Sequence, residues 1–446
     1  MAGSRVYIDP RGGLQNVGER NCYAIVFEHD GIKEAILLDC GQKIPSGESD
    51  RDNLGPEYFP NFDDLIKQGI RVRAIFISHG HIDHVGGVKW FLENYSSLCS
   101  DDFRVYGSAF TLGVLRKIVY KYDEPQSPLW KFVTLQTGTV VRKGLFSAQM
   151  FPVNHSIPGA MGIHVSVAGK NILYLGDWKR RGPGDSEAVF MDKMERYGVD
   201  GVDALLLDST NADEDGATLS EEVATSAIIE TINRHNNARV LIATFSSHMH
   251  RITAIVEAAR RANRPVFLAG RSLINYSYIA QLQGVHFFRR DINDDYYPLL
   301  PSNAVILCTG VQAEPHSFLP RMLAGEIYGM AWNKERDVVI IAASTIPKED
   351  ILARVPKMIG ELSKIVQTIY LARDVVTDEE PENAIRGMYH VSGHGMRDDS
   401  AAVLKVVRPR LLIPVHGDAQ RRALMQSLAP HGTTTVLASE RQEVEI

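Results

Sequence analysis

The densest chemistry in the chain lies at Ile75-Phe-Ile-Ser-His-Gly-His-Ile-Asp-His84, where an apolar strand runs into three histidines and one aspartate within six positions. Imidazole and carboxylate groups crowded that closely share a cation or resist desolvation at great cost. His79 and His81 fall on the turn that leaves the strand, and Asp83 and His84 at the start of the helix that follows. Two such pairs can face two neighbouring metals, each through nitrogen and oxygen ligands suited to zinc. A single histidine would more often cap a helix or bind a loop carbonyl, but a cluster of this density reads as a ligand set.

Further strands repeat the theme: Phe151-Pro-Val-Asn-His155, Ile172-Leu-Tyr-Leu-Gly-Asp177, Ala204-Leu-Leu-Leu-Asp208 and Leu411-Leu-Ile-Pro-Val-His416. Each places a polar group at the carboxyl end of an apolar run. Taken alone, Asp177 and His416 read as turn formers. If the strands are neighbours in stacked sheets, their ends converge on one rim, where such folds collect catalytic groups.

The elements that must position these groups change character along the chain. Up to about residue 210 the pattern is short apolar strands, such as Cys22 to Phe27 and Asn171 to Leu175, with helical spacing at Asp63 to Gln68, His84 to Asn94 and Ala109 to Lys121. That pattern favours sheets covered by helices. From about Ala217, helical and strand segments alternate regularly, beginning with Ser220 to His235 and Val240 to Phe245, which signals parallel βαβ units. Thr218 and Glu221 fit a capping box for the first of these helices. The acidic, turn-like stretch Arg373 to Arg386 reads as a crossover between domains, after which the strand Leu411 to Val415 and the helix Ala419 to Leu428 resemble the first half. The expected division is 1–214 and 384–446 for one domain and 215–383 for an inserted one.

Composition sets outer bounds. The 446 residues imply two or three domains, and a 44% apolar fraction can fill their cores. A net charge of −6, from 48 basic and 54 acidic residues, excludes binding of nucleic acid through bulk positive charge, so any phosphate-binding surface must be local. Four scattered cysteines without a C-x-x-C pair argue against a disulfide framework or thiolate metal site and for a reducing, cytoplasmic setting. Met1 to Gly13 shows no secretory or transit signal, and no apolar run is long enough to span a membrane.

The motif His79, His81, Asp83, His84 matches in full the H-x-H-x-D-H signature of the metallo-β-lactamase superfamily, which the chain resembles. Asn154-His-Ser-Ile-Pro158, Gly176-Asp-Trp-Lys179, Asp208-Ser-Thr-Asn-Ala212, Cys308-Thr-Gly310, His390-Val-Ser-Gly-His394 and Pro414-Val-His-Gly417 extend the likeness to its β-CASP nuclease branch, and within it to the ribonuclease J family. The resemblance implies an α/β fold: a metallo-β-lactamase αββα sandwich with an inserted β-CASP α/β domain. It implies two Zn²⁺ ions, with Mn²⁺ as a substitute, held by His79, His81 and His155 on one side and Asp83, His84 and His416 on the other, bridged by Asp177. Asp83, Asp208 and His394 become the catalytic residues. The implied reaction is hydrolysis of RNA phosphodiesters, from the 5′ end or internally, by a hydroxide that the zinc pair readies.

Ser246, Ser247, His248 and Arg271, with His390, Ser392, Gly393 and His394, are the candidate substrate-binding residues, forming a pocket for the 5′-monophosphate of single-stranded RNA. In the second domain these follow strands and precede helices whose terminal N–H groups favour phosphate. Lys179, Arg180, Arg181, Arg251 and Arg271 are candidates to line the groove leading to it. Two positions depart from the family pattern: Gly159, where an aspartate is common, and His248, where asparagine is expected. The short stretch after His416 also implies that the carboxy-terminal domain of many relatives is absent, leaving a homodimer as the expected assembly. Rival readings are a thioester or lactone hydrolase on the same centre, a DNA-directed nuclease, and a non-catalytic RNA-binding scaffold.

Overall fold

A computed structural model describes residues 3–45, 54–121, 131–182, 184, 186–285, 290–292, 300–327 and 329–446. The chain forms two units: Met1–Thr218 together with Gly393–Ile446, and Leu219–Ser392.

The first unit contains two seven-stranded sheets. One runs in the order Val444–Glu445, Arg5–Gly12, Cys22–His29, Ile32–Leu38, Arg71–Phe76, Cys99–Gly107 and Phe132–Thr134. The other runs Thr434–Thr435, Leu411–Val415, Ala204–Asp208, Lys170–Tyr174, Met161–Val167, Phe146–Pro152 and Val140–Lys143. Strand alternation shows how they stack. Ile172, Tyr174, Ala204, Leu206, Ile413 and Val415 share one core with Ile25, Phe27, Ile36, Leu38 and Phe76 of the opposite sheet. The intervening residues Leu173, Leu205, Leu207 and Leu412 face the other way, against Phe190, Met194, Val403 and Leu404 of the helices Ser186–Asp200 and Arg397–Val407. Each fully buried side chain of this kind contributes roughly 1.5–3 kcal/mol. On the first sheet, Phe91 of the helix Val88–Asn94 packs against Phe62, Tyr95 and Phe103.

Strand direction then decides where chemistry collects. Lys170–Tyr174, Ala204–Asp208 and Leu411–Val415 are mutually parallel, as are Ile32–Leu38 and Arg71–Phe76. Phe146–Pro152 is antiparallel to Met161–Val167, which is itself antiparallel to Lys170–Tyr174, so it too points the same way. The residues just past these strands therefore share one rim.

The second unit is a single seven-stranded parallel sheet in the order Arg290–Ile292, Val266–Ala269, Val305–Cys308, Val240–Ala243, Val338–Ile341, Thr368–Ala372 and Ala384–Gly387. Its last strand corrects the reading of Arg373 to Arg386 as a crossover. Ala384–Gly387 pairs with Thr368–Ala372, and Arg386 neutralises Glu380 and donates to the Val375 carbonyl at 2.7 Å. The return to the first unit thus lies at Ser392/Gly393, and the outward crossing at Thr218/Leu219. The expected capping box is also displaced. Ser220 caps the helix Glu221–Arg234 by accepting from the Glu222 N–H, whereas Thr218 is bound elsewhere, as described below.

The helix expected over His84 to Asn94 divides into Ile82–Val85 and Val88–Asn94. A side chain at Gly87, between them, would strike the Gly41 carbonyl at 2.4 Å. Among the described residues no helix is long and apolar enough to cross a membrane.

Candidate metal centre

The rim of the first unit gathers every residue expected there. Donor atoms of His79, His81, His155 and Asp177 lie within 4.8 Å of one another, as do those of Asp83, His84 and His416, and of Asp177, Asp208, His394 and His416. His155 follows Phe146–Pro152, Asp177 follows Lys170–Tyr174, Asp208 ends its strand and His416 follows Leu411–Val415.

Hydrogen bonds at the outer edge of each ring fix which nitrogen faces inward. Ser78 Oγ donates to Asp39 Oδ2 at 2.7 Å, so it accepts from His79 Nδ1–H at 3.0 Å and leaves the lone pair on His79 Nε2. His155 Nδ1–H donates to the Gly393 carbonyl at 2.8 Å, leaving its lone pair on Nε2 as well. Both lone pairs converge on His81 Nδ1, at 3.0 and 3.1 Å, with Asp177 Oδ2 at 3.5 and 3.7 Å. Burial holds these three imidazoles neutral: it drives His79 and His155 well below the ordinary histidine range and His81 to about 4. Glycine is required at 393, because a Cβ there would come within 2.8 Å of the His155 ring.

On the other side, His84 Nδ1–H donates to Asp39 Oδ2 at 2.7 Å, which turns its Nε2 lone pair towards Asp177 Oδ1 at 3.2 Å. Asn21 Nδ2 approaches the same nitrogen at 3.1 Å. Thr210 Oγ1 donates to Asp208 Oδ1 at 2.6 Å and accepts from His416 Nδ1–H at 2.7 Å, so His416 Nε2 faces Asp83 Oδ2 at 3.2 Å. Each of these contacts between a ring nitrogen and a carboxylate oxygen needs positive charge, supplied by a proton on the nitrogen or by a metal ion that takes its lone pair. The electrostatics carry the same demand. Burial disfavours charge on His84, but Asp177, Asp83 and Asp39 overcome it and raise the ring to about 10. Burial is likewise outweighed at His416, where Asp177, Asp208 and Asp83 hold the ring well above its usual value. Burial opposes charge on Asp177 too, yet His416, His84, His394 and His79 keep it ionised. Its Oδ1 is buried without a hydrogen-bond donor. The neutral nitrogens of His79, His81 and His155, the demand for positive charge at His84 and His416, and the orphaned Asp177 oxygen fit divalent cations.

Asp208 and His394 form the adjoining pair. His394 Nδ1–H donates to Asp208 Oδ2 at 2.7 Å, and its Nε2 lies 3.9 Å from Asp177 Oδ2. Although burial opposes charge on Asp208, His394 holds its carboxyl below the usual range.

The remaining candidates sit in the second unit, apart from Gly393 and His394. Ser246 Oγ shares a hydrogen bond with Ser272 Oγ at 2.8 Å, and Ser247 is buried. His248 precedes the helix Met249–Arg261 and stacks over His390, with ring centroids 5.7 Å apart and planes 20° from parallel. Arg271 opens the helix Arg271–Gln281 and is exposed, and Ser392 ends the unit. Three of the expected groove cations are otherwise engaged. Arg251 is fully buried, bound to Glu221 Oε1 at 2.5 Å and the Ala342 carbonyl at 2.8 Å. Lys179 is also buried, and Arg180 is tied to Asp399 at 3.0 Å.

Asp39 is absent from the sequence-derived set. It is fully buried and accepts from Ser78 N–H at 2.6 Å, Ser78 Oγ at 2.7 Å, Tyr174 Oη at 2.6 Å and His84 Nδ1 at 2.7 Å. Its signal was present, since Ile36-Leu-Leu-Asp39 repeats the polar-at-strand-end pattern. Thr210, which joins Asp208 to His416, was likewise missed.

Comparisons with known proteins bear on the same residues. A model of the beta-lactamase superfamily domain matches residues 35–264, and one of the ribonuclease J beta-CASP domain matches residues 237–362. The chain is 31% identical over 426 residues to ribonuclease J of Mycoplasma genitalium, covering 94% of this chain and 69% of that protein. It is 32% identical over 413 residues to ribonuclease J of Mycobacterium tuberculosis, covering 91% and 68%. With ribonuclease J of Corynebacterium glutamicum the identity is 29%, and the chain spans 55% of that protein's length. A crystal structure of a protein of unknown function from Enterococcus faecalis V583 shares the fold, with a TM-score of 0.67 at 16% identity, covering 99% of this chain and 100% of the other.

Proposed function

The chain belongs to the ribonuclease J family, and from that premise we propose that it is a metal-dependent ribonuclease that hydrolyses RNA phosphodiesters, by 5′-to-3′ exonucleolysis, endonucleolysis or both. The observation that carries the reading is Asp177, whose two oxygens face two separate sets of histidine nitrogens. In this reading His79, His81 and His155 would hold one zinc ion and Asp83, His84 and His416 the second, with Asp177 available to both; manganese would suit the same donors. Bound there, the ions neutralise charge on the phosphodiester and lower the pKa of water toward about 7.

The chain's own residues do the rest. Asp39 and the Gly393 carbonyl orient the rings, and such outer contacts are worth about 10–100-fold in affinity or activity. Asp83 counts as catalytic because its carboxylate lies at the reacting centre. His394 carries the proton that leaves with the departing oxygen. Asp208 stabilises the imidazolium through Nδ1, and Nε2 is turned to the cluster. Replacing His394 with Ala is expected to lower kcat by about 10²–10⁴-fold with two equivalents of metal retained. Loss of metal instead would remove this role.

In this reading Ser246, Ser247, His248, Arg271, His390 and Ser392 of the second unit form the pocket for a 5′-monophosphate, and Gly393 and His394 of the first unit serve as substrate contacts by the metal cluster. A purified preparation given end-labelled RNA with 5′-monophosphate, triphosphate or hydroxyl ends, beside matched DNA, ester and lactone, tests pocket and substrate class together. Equal rates on the three RNAs would remove the pocket. The four cysteines are free thiols, which supports a reducing cytoplasmic setting.

A further inference from the structure

The segment that carries His394 is held by more than its partner Asp208. The His394 carbonyl accepts from Thr218 Oγ1 at 2.7 Å and from Asn211 Nδ2 at 3.2 Å. On either side, the Gly393 carbonyl accepts from His155 and the Gly395 N–H donates to the Trp178 carbonyl at 2.7 Å. The next amide, Met396 N–H, is shared between Thr218 Oγ1 and Asp399 Oδ2, both at 3.1 Å. Asp399 is fully buried at the start of the helix Arg397–Val407. Its Oδ2 also accepts from Thr218 N–H at 2.8 Å, and its Oδ1 from Arg180 Nε at 3.0 Å.

One buried carboxylate thus clasps three pieces of chain: the last residue before the second unit, the segment that returns from it, and the loop that follows Asp177. Thr218 is also fully buried, and its hydroxyl both donates and accepts within the clasp. Neither residue faces the cluster of ring nitrogens.

We propose that Thr218 and Asp399 are positioning residues for His394, fixing the height of its ring above Asp177 by holding the backbone at its own carbonyl and at the Met396 amide two residues on. The proposal rests on the reading of His394 as the proton-handling residue. Valine at 218 keeps the shape and deletes the hydroxyl, so the His394 carbonyl loses its shortest bond and the Met396 amide one of two acceptors. Asparagine at 399 turns an N–H₂ toward one of its former donors and leaves Arg180 with Glu187, at 3.3 Å, as its remaining anion.

The test is a double-mutant cycle on the metal-loaded protein, reading kcat, KM and metal content for Thr218→Val, Thr218→Ser and Asp399→Asn, each in the native background and beside His394→Ala. Thr218→Val and Asp399→Asn are expected to lower kcat about tenfold with KM and metal content unchanged, and Thr218→Ser to restore the native rate. Beside His394→Ala they are expected to cost nothing further. Equal losses in both backgrounds, loss of metal, or a native rate in Thr218→Val beside a crippled His394→Ala would overturn the proposal alone. A native rate in His394→Ala would overturn the reading beneath it, and the proposal with it.

Discussion

In the second unit, among the described residues, the buried cations Arg264, Arg239 and Arg251 are each held by partners within that unit, although Arg251 Nη2 makes no hydrogen bond. Arg264 donates to the carbonyls of Asn303, Ile232, His235 and Ala238, Arg239 is paired with Asp337, and Arg251 with Glu221. In the first unit the buried polar groups at the strand ends are held on their outer edges, and their inner edges face one another. Both units place polar residues where parallel strands end, yet among the described residues only the first leaves donor atoms converging on a shared point. Satisfaction of every buried group makes scaffold; convergence with the inner edges left to a cation makes a reactive centre.

The contrast can be broken most severely at Asp177. Asp177→Ala removes the oxygen pair facing both nitrogen sets, and is expected to abolish RNA cleavage and metal uptake by elemental analysis, as prolonged chelation should do in the native protein. Retention of two equivalents of metal would show that the two sets are independent.

A smaller loss is expected from Asp39→Asn, which leaves the inner donors intact but weakens the support of His84 and Ser78. Affinity for the metal, or the rate, should fall about 10–100-fold, measured by metal titration, and the melting temperature of the loaded protein should fall with it.

The second unit should respond in the opposite currency. Arg264→Met leaves buried carbonyls unpaired, at about 1–3 kcal/mol for each group left unsatisfied. Denaturant unfolding should register this loss, with the metal content of the first unit unaltered. Loss of metal in that variant would mean that the centre depends on the second unit's internal hydrogen bonding.

The gentlest probe is acidity. Burial lowers His235, and its Nε2 pairs with the Tyr370 hydroxyl at 2.8 Å. Because its folded pKa lies below its unfolded value of about 6.5, the unfolded chain takes up the proton first. Stability of the second unit should therefore rise as pH increases through the range just below 6.5 and fall on acidification, and His235→Gln should flatten that slope in thermal melts.

The sequence exposes the chemistry of this fold more readily than its supports. His79, His81, Asp83 and His84 stand within one short segment, and His155, Asp177, Asp208 and His416 each end an apolar run, so type and position suffice. Asp39 obeys the same rule but has no histidine or second carboxylate beside it in sequence, and its four donors meet it only in three dimensions. The helix Ser186–Asp200 was missed although Phe190, Met194 and Tyr197 recur at helical spacing, because the surrounding charges dilute the apolar stripe. The strand Cys99–Gly107 carries polar residues that obscure the alternation, whereas Met161–Val167 alternates apolar residues with Gly162, His164 and Ser166 and its pattern was legible. Arg251 read as a groove cation because sequence alone does not reveal that Glu221 buries it.

The outward and return crossings meet at Thr218 and His394, which are joined by a direct hydrogen bond. An excursion of 174 residues, Leu219–Ser392, therefore begins and ends at nearly one place, as an appended cassette does. A few residues of turn-forming linker could bridge that gap, making the first unit a continuous chain on which other recognition modules could be exchanged without redrawing either sheet.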